Sequence, residues 1–303
     1  MTPASLLLAL ACAAPLPAPP QTIDSTAPRR PAAARSAIVA TAASDAPGAP
    51  LSVRQEPESD DRRLNPAQPD FTVVGLPTTL RMPRHAWWFR VTHRFGRPLG
   101  EGDFGDLVGD LFGLDSGALI GLELRFGLAP GAQIGVHRTS DKTIQVSGEV
   151  ELRRQTGEMP FGLALLASVE GLNNFRDDYA PGLGLVVSHE LGRRGALYLV
   201  PAWVANTNPF DLPGEDDSTL LVGVGARARI ASTVYAVAEV LPRIAGYAPG
   251  AAQASFGLEK RVGGHTFQIN VSNGFGTTLA QLARGGVSGS DWFLGFNITR
   301  KFF

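Results

Sequence analysis

The chain has 303 residues, a formal net charge of -1, 44% hydrophobic residues and 18% charged residues. This near-neutral charge argues against nucleic-acid binding, which requires a basic face. The single cysteine excludes an intrachain disulfide and a cysteine-based metal site. No run of 18 or more apolar residues occurs, so any membrane crossing would use a closed β-barrel, whose strands satisfy every backbone polar group in lipid.

The N-terminal region divides into an apolar segment and a Pro- and Ala-rich stretch. Residues 6–14 are apolar and contain Ala11-Cys12-Ala13, a small-x-small cleavage pattern, so we predict a signal peptide over residues 1–14. Lipidation of Cys12 is the alternative. Residues 15–70 have almost no aromatic side chains and cannot bury enough apolar surface to offset chain entropy. We therefore predict a disordered spacer over residues 15–77 and one barrel domain over residues 78–303.

From His85 onward, short segments alternate apolar and polar residues with a period of two, which predicts strands with one apolar and one polar face. In the clearest segment, Ile144, Val146 and Val150 alternate with Gln145 and Glu149. The pattern gives twelve strands, an even number as expected for a bacterial membrane barrel. The predicted strands span residues 85–95, 117–127, 132–138, 143–154, 161–172, 181–191, 196–206, 219–230, 233–243, 254–262, 265–274 and 292–302.

The lengths of the connections favour a membrane barrel over a soluble β-sandwich. Long and short connections alternate, as extracellular loops and periplasmic turns do in outer-membrane barrels. The exceptions are a short third connection and a middle-sized turn at residues 155–160. Trp87, Trp88 and Trp292 open strands, as aromatic residues do at membrane interfaces. A soluble sandwich remains the alternative, and it predicts folding without detergent.

Several motifs resemble a bacterial family described as a membrane-bound β-barrel domain of unknown function, number 5777. They are His93-Arg94-Phe95-Gly96, Leu114-Asp115-Ser116-Gly117-Ala118, residues 138–143, residues 259–265 and residues 295–302. The resemblance covers about residues 78–303. It implies an all-β, single antiparallel transmembrane barrel in the outer membrane of a Gram-negative bacterium, and it implies no activity.

Charged side chains on the polar strand faces are the candidate lumen lining. Both signs occur, which predicts a weakly selective aqueous path. A filled interior held by ion pairs is the alternative, because twelve strands lie between the filled eight-stranded barrels and the open sixteen-stranded ones. The candidates are Arg90, Glu123, Arg125, Glu149, Glu151, Arg153, Glu170, Glu190, Arg227, Arg229, Glu239, Glu259 and Arg261.

A short amphipathic helix is predicted in the first long loop. Phe104, Leu107, Val108 and Leu111 are spaced i, i+3, i+4 and i+7. Such a helix could fold into the barrel mouth as a constriction or lie on its rim.

Catalysis finds little support in the sequence. Ser272-Asn273-Gly274 resembles a fragment of the outer-membrane phospholipase motif, but Asn270 stands where that motif has its histidine, so the serine lacks a base. The five histidines show no metal-ligand spacing. We predict no catalytic residues, no metal and no cofactor.

Three functional hypotheses follow. The first is a porin-like passive channel or a barrel that binds a small solute. The second is a closed structural or partner-binding barrel, and the third, disfavoured, is an outer-membrane hydrolase. The expected partners are outer-membrane lipid and a small solute, with no nucleic acid, and the sequence identifies no protein partner.

Overall fold

The computed structural model describes residues 64–114, 116–210 and 213–303. The predicted signal peptide, Cys12 and residues 15–63 of the predicted spacer lie outside these residues. Among the helices in the described ranges, none has the length and apolar character needed to span a membrane.

In the part of the chain that the structure describes, thirteen strands form one antiparallel sheet. Their bounds are Trp87–Pro98 (β1), Ala118–Ala129 (β2), Ala132–Thr139 (β3), Ile144–Arg153 (β4), Gly162–Gly171 (β5), Asp177–Glu190 (β6), Gly195–Ala205 (β7), Ser218–Ala231 (β8), Val234–Leu241 (β9), Arg243–Gly246 (β10), Gln253–Val262 (β11), His265–Ser272 (β12) and Phe293–Phe302 (β13). All twelve predicted strands are present, with their ends shifted by a few residues.

The sheet closes into a barrel of twelve strands. Each strand from β1 to β9 pairs with its sequence neighbour, β9 pairs with β11, and β13 pairs with β1. The extra strand β10 continues β9 beyond Pro242 and pairs with β8. Proline has no N–H to donate to the ladder, so the strand is interrupted there. The predicted fold class is confirmed.

The barrel places its apolar side chains outside and its polar side chains inside. Leu122 on β2 is 49% exposed and Ile269 on β12 is 66% exposed, whereas Glu123, next to Leu122, is 2% exposed. A soluble sandwich would show the opposite arrangement, because water would surround its outer face. The alternation read from the sequence therefore corresponds to a barrel with an apolar outer face and a polar interior, as membrane barrels have.

The two ends of the barrel differ in their connections. At one end, which we call the turn end, residues 130–131, 191–194, 232–233 and 263–264 join neighbouring strands. The start of β1 and the end of β13 also lie there, because Trp87 pairs with Phe302. The opposite end, the loop end, carries the long connections at residues 99–117, 206–217 and 273–292.

The helices lie in loop-end connections. They are Phe104–Gly109 (α1), followed by a 3-10 turn at Leu111–Gly113, the four-residue turn Leu172–Phe175 (α2) and Leu279–Arg284 (α3). The predicted helix is present as α1, with a capping box between Asp103 and Asp106. The helix is shorter than predicted, because Leu111 lies beyond it in the 3-10 turn. These apolar residues do not enter the mouth, since Phe104 is 74% and Leu111 is 54% exposed.

The structure moves the barrel boundary predicted at residue 78. Residues 65–77, assigned to the spacer from composition, are almost entirely buried and lie inside the barrel. A segment of this composition is ordered here because the strands surround it and satisfy its backbone groups.

Candidate functional site

The site lies in the lumen, where residues 65–83 form a segment that we call the plug. At the turn end, the plug is fixed by backbone hydrogen bonds, with Gly131 N donating to Met82 O at 3.0 Å. Further inside, it folds into a hairpin: Thr78 N donates to Phe71 O at 3.0 Å and Val73 N to Leu76 O at 2.8 Å. Val74 and Gly75 form the tip.

One half of the lumen wall is apolar and holds the plug by packing. Leu76 fits against β8 where the wall has glycine: a Cβ at Gly223 would lie 2.3 Å from Leu76 Cδ1, and one at Gly225 would lie 3.0 Å from Leu76 Cδ2. Inward-facing apolar residues of β5 to β9 join Leu76 in one buried cluster. Members on the wall include Ala164, Leu166, Val186, Val200, Val204, Leu221, Val237 and Leu241.

The hairpin tip is held by a carboxylate. Glu239 on β9 is 4% exposed. Its oxygens accept hydrogen bonds from the backbone N–H groups of Val74 (2.9 Å), Gly75 (2.9 and 3.0 Å) and Leu76 (2.9 Å). Hydrogen bonds to an ionised acceptor are about twice as strong as neutral ones. The tip therefore meets a buried negative charge with three consecutive donors.

The plug's carbonyl groups are bound by wall side chains from three sides. All four of these donors reach the backbone, and Arg90 Nη1 in addition donates to the Thr72 side-chain hydroxyl at 3.2 Å. The pairs are Arg90 Nη1 to Val74 O (3.2 Å), Asn297 Nδ2 to Val74 O (3.0 Å), Gln268 Nε2 to Val73 O (2.7 Å) and Arg227 Nη2 to Thr72 O (2.7 Å).

Nearer the turn end, Asp70 anchors the plug through its side chain. Its carboxylate accepts from Trp88 Nε1 at 2.8 Å and from Thr299 Oγ1 at 2.6 Å. Phe71 packs edge-on against Trp88, and Lys301 donates to Pro69 O. Side chains at the rim complete the contact. They are Gln68 and Asn65 bonded to Glu190, and Arg81 paired with Glu151.

A second element, residues 275–287, enters the lumen from the loop end, and we call it the lid. It contains α3, whose Leu279 and Leu282 are buried in the same apolar cluster as Leu76. Glu170 on β5 holds the lid by an ion pair with Arg284 (2.7 Å) and by a contact with the Thr278 hydroxyl. The lid and plug touch, because a Cβ at Gly75 would lie 3.2 Å from Leu282 Cδ2.

The predicted lumen residues divide into a buried set and a rim set. The buried set is Arg90, Glu123, Arg125, Glu149, Glu170, Arg227, Glu239 and Glu259. Less buried residues near the turn end are Glu151, Arg153, Glu190, Arg229 and Arg261. Ion pairs join Glu123 to Arg90 and Arg125, both at 2.6 Å, and Arg227 to Glu259 at 3.0 Å.

Little space remains between plug, lid and wall. A cavity of about 40 Å³ lies beside the hairpin tip, lined in part by Arg90, Gln133 and Glu149. This volume accommodates a few water molecules and no larger solute. A second cavity of about 230 Å³ opens at the turn end between Gln68 and Arg153. In the state described here, the lumen next to the hairpin tip is closed.

Sequence reasoning missed the plug and the lid. Apolar residues on both faces of β7 were a signal: Val200 and Val204 face inward, whereas Leu199 and Trp203 face outward. An apolar stripe on the inner face of a barrel needs an apolar partner inside. The polar wall residues Gln268 and Asn297 carried no comparable signal.

The suspected serine lies in a structural setting. Ser272 is buried, and its Oγ accepts from Ser255 Oγ at 3.0 Å and from Gly274 N at 3.3 Å. Within the described ranges, no group of three or more His, Cys, Asp or Glu residues could hold a metal ion.

The chain belongs to the family described as the membrane bound beta barrel domain (DUF5777), whose model matches residues 70–302. The matched region thus begins inside the plug, eight residues before the barrel start predicted from the sequence. No curated protein sequence matches the chain.

Among solved structures, the chain is similar in fold to three bacterial barrels of low sequence identity. The NanC porin has a TM-score of 0.45 at 10% identity, covering 71% of this chain and 100% of its own. The KdgM porin in complex with oligogalacturonate has 0.44 at 9%, covering 72% and 99%. Omp33 of Acinetobacter baumannii has 0.43 at 10%, covering 72% and 98%.

Proposed function

We propose that this protein is a gated channel of the Gram-negative outer membrane, held closed by its plug. The turn end then faces the periplasm, since outer-membrane barrels have short periplasmic turns and longer extracellular loops. The observation that carries the proposal is the binding of the plug through hydrogen bonds between its backbone and polar wall side chains, with Glu239 at the tip.

The chemistry of the wall supports a removable plug. The groups that bind the tip are two arginines, a carboxylate and two amides, all of which water can solvate if the plug leaves. The plug also has one covalent connection to the wall in the described residues, through residues 84–86 to Trp87. It can therefore leave through the turn end without unthreading a loop.

An emptied lumen would be lined by both signs of charge, including Arg90, Arg227 and Glu239. This lining favours weak ion selectivity and passage of small polar solutes. No step of such passage requires covalent chemistry, so the prediction that the protein is not an enzyme is kept.

A permanently closed barrel is the second candidate function. It is favoured by the apolar cluster that joins plug, lid and wall, because such a cluster is costly to open. The two candidates differ in whether the plug moves in the folded protein.

The test is single-channel conductance of the full chain in a planar bilayer, with Cys12 replaced by Ser. A disulfide between Val73→Cys and Gly225→Cys would fix the plug, because a Cβ at Gly225 lies 3.3 Å from Val73 Cγ2. We expect rare stepwise openings, which oxidation of this pair abolishes and a reductant restores. The matched control is Ser255→Cys with Ser272→Cys, which joins two wall strands whose hydroxyls lie 3.0 Å apart and leaves the plug free.

Openings that persist in the oxidised plug variant would contradict the gate, as would a channel that stays silent when Glu239→Gln weakens the tip contact. Silence in all variants, with the folded barrel confirmed by heat-modifiable electrophoretic migration, would favour the permanently closed barrel.

A further inference from the structure

Around the hairpin of the plug, the wall side chains bind mainly the main chain. Eight hydrogen bonds there join a wall side chain to a backbone group. The three N–H groups of the tip make four of them to Glu239, and Arg227, Gln268, Arg90 and Asn297 bind Thr72 O, Val73 O and Val74 O. One bond, from Arg90 to the Thr72 hydroxyl, reaches a side chain. A surface that binds backbone groups recognises the shape of a peptide more than one particular set of side chains.

We propose that the lumen wall is a peptide-binding site and that the plug is its intramolecular ligand. The ligand class is a peptide hairpin whose tip presents three consecutive N–H groups to Glu239. This inference rests on the proposed function, because the plug must be able to leave before another peptide can bind.

Two positions give the site its side-chain selectivity. A Cβ at Gly75 would lie 3.2 Å from Leu282 Cδ2 and 3.3 Å from Glu239 Oε1, so the tip favours glycine. The next residue must fill the hollow that Gly223 and Gly225 leave in the wall, a space that Leu76 occupies here. The residue types Gly-Leu at the tip therefore define the preferred ligand.

A third contact fixes the direction of the bound peptide. Asp70 lies five residues before the tip glycine and accepts hydrogen bonds from Trp88 and Thr299 near the turn end. A ligand with a carboxylate five residues before Gly-Leu meets both anchors at once. A second copy of this chain carries such a segment.

The connection between plug and barrel allows a direct test in the full chain. Arg84 and His85 are exposed at the turn end. A protease recognition sequence inserted between them can be cut after the barrel has folded, which heat-modifiable migration verifies. The plug fragment is then held only by non-covalent contacts.

Gel filtration of the cut protein first measures whether the unlabelled fragment elutes with the barrel. A fluorescein-labelled peptide of residues 64–82 is then added as the probe. We expect the fragment to co-elute with the barrel and to be replaced by labelled peptide in a saturable manner. A Gly75→Val peptide should bind at least about tenfold more weakly, since it places carbon atoms against the Glu239 carboxylate. A Glu239→Gln barrel should also bind the unaltered peptide more weakly, whereas Asp106→Asn, in the exposed helix α1 outside the lumen, should bind it normally.

Equal binding of the two peptides would overturn the inference, and so would a fragment that never exchanges. Slow exchange is detected by a disulfide trap, which accumulates bound peptide over time. A Val73→Cys peptide should form a disulfide with a Gly225→Cys barrel and not with the Ser255→Cys barrel. Conductance reports separately on the gate. A cut protein that conducts but does not rebind peptide contradicts the peptide site alone, whereas one that rebinds peptide and never conducts contradicts the channel.

Discussion

The carboxylate of Glu239 on β9 accepts a bifurcated hydrogen bond from the backbone N–H of Gly75, which donates to both oxygens at 2.9 and 3.0 Å. Two residues more than 160 positions apart in the chain thus meet in the middle of the lumen. The neighbouring N–H groups of Val74 and Leu76 reach the same carboxylate. The Glu239 carboxylate needs these three donors to compensate its burial, and the hairpin tip needs the carboxylate to satisfy its N–H groups. Substitution of Glu239 is therefore the most direct way to weaken the contact that closes the lumen.

Replacing Glu239 by Gln is expected to increase opening of the channel. Hydrogen bonds to a charged group contribute about 1.5–3 kcal/mol, and the amide keeps only one acceptor while adding a donor that faces the donors of the tip. At about 1.4 kcal/mol per factor of ten, the open probability should rise about tenfold to a hundredfold. Single-channel recording of the full chain measures this quantity.

The control for that experiment is Glu149→Gln. Glu149 is a buried lumen carboxylate of the same type, and it lines the cavity beside the plug, away from the Glu239 carboxylate. An equal rise in open probability in both variants would show that opening is controlled by general loss of lumen carboxylates and not by the hydrogen bonds between Glu239 and Gly75.

The packing of Leu76 against Gly223 predicts a compensating pair of substitutions. Gly223→Ala adds a carbon 2.3 Å from Leu76 Cδ1, so it should push the plug from the wall and raise its hydrogen-exchange rate. Leu76→Ala alone should also loosen the plug, because truncating a buried leucine costs about 2–5 kcal/mol. Together the two changes should be less than additive, since the added methyl occupies space that the leucine leaves.

Hydrogen exchange at residues 71–78, followed by mass spectrometry, tests this pair. Leu64→Ala, at an exposed leucine one residue before the plug, serves as the neutral comparison. Strict additivity of the Gly223 and Leu76 effects would mean that the two side chains do not share the space that the geometry assigns to them.

The ion pair between Arg227 and Glu259 predicts a difference between single and double variants. Arg227 also donates to Thr72 O at 2.7 Å and to Tyr198 Oη at 3.2 Å, so it joins plug and wall. Arg227→Met leaves Glu259 buried without its cation and should lower the free energy of unfolding by about 3–5 kcal/mol. Adding Glu259→Gln should recover part of this loss. Urea unfolding of the protein in lipid vesicles gives both values, and no recovery in the double variant would contradict the pairing.

The sequence predicted the wall of the barrel well and its contents poorly. Alternation such as Ile144-Gln145-Val146 shows which side chains point out of the barrel and which point into it, because the side-chain period of a strand is two. The lumen residues followed from the same parity, so Arg90 and Glu239 were found. Their partners were not, because Glu239 binds backbone N–H groups, which every residue except proline carries.

The plug itself was hidden by composition. Residues near Asn65 and Gln68 resemble the preceding Pro- and Ala-rich stretch, and nothing local distinguishes a buried segment from a solvated one. The wall does carry a signal of the plug, because Val200 and Val204 form an apolar stripe on the inward face of β7. Sequence periodicity alone cannot interpret that stripe, because inward-facing apolar residues have a meaning only once an apolar partner is placed inside the barrel.

The ion pair between Glu170 and Arg284 predicts how the loop end opens. Glu170 also contacts the Thr278 hydroxyl at the start of α3, so one buried carboxylate holds both ends of the lid helix. Glu170→Gln should therefore loosen the lid without removing the plug. The readout is labelling of a Leu282→Cys variant, in a Cys12→Ser background, by a membrane-impermeant maleimide, because Leu282 is buried when the lid is closed. We expect labelling to accelerate about tenfold to a hundredfold.

The control is Asp106→Asn, which disrupts the capping box of the exposed helix α1 and should leave the labelling rate unchanged. Equal labelling with and without Glu170→Gln would show that packing of Leu279 and Leu282, and not the carboxylate, holds the lid in place.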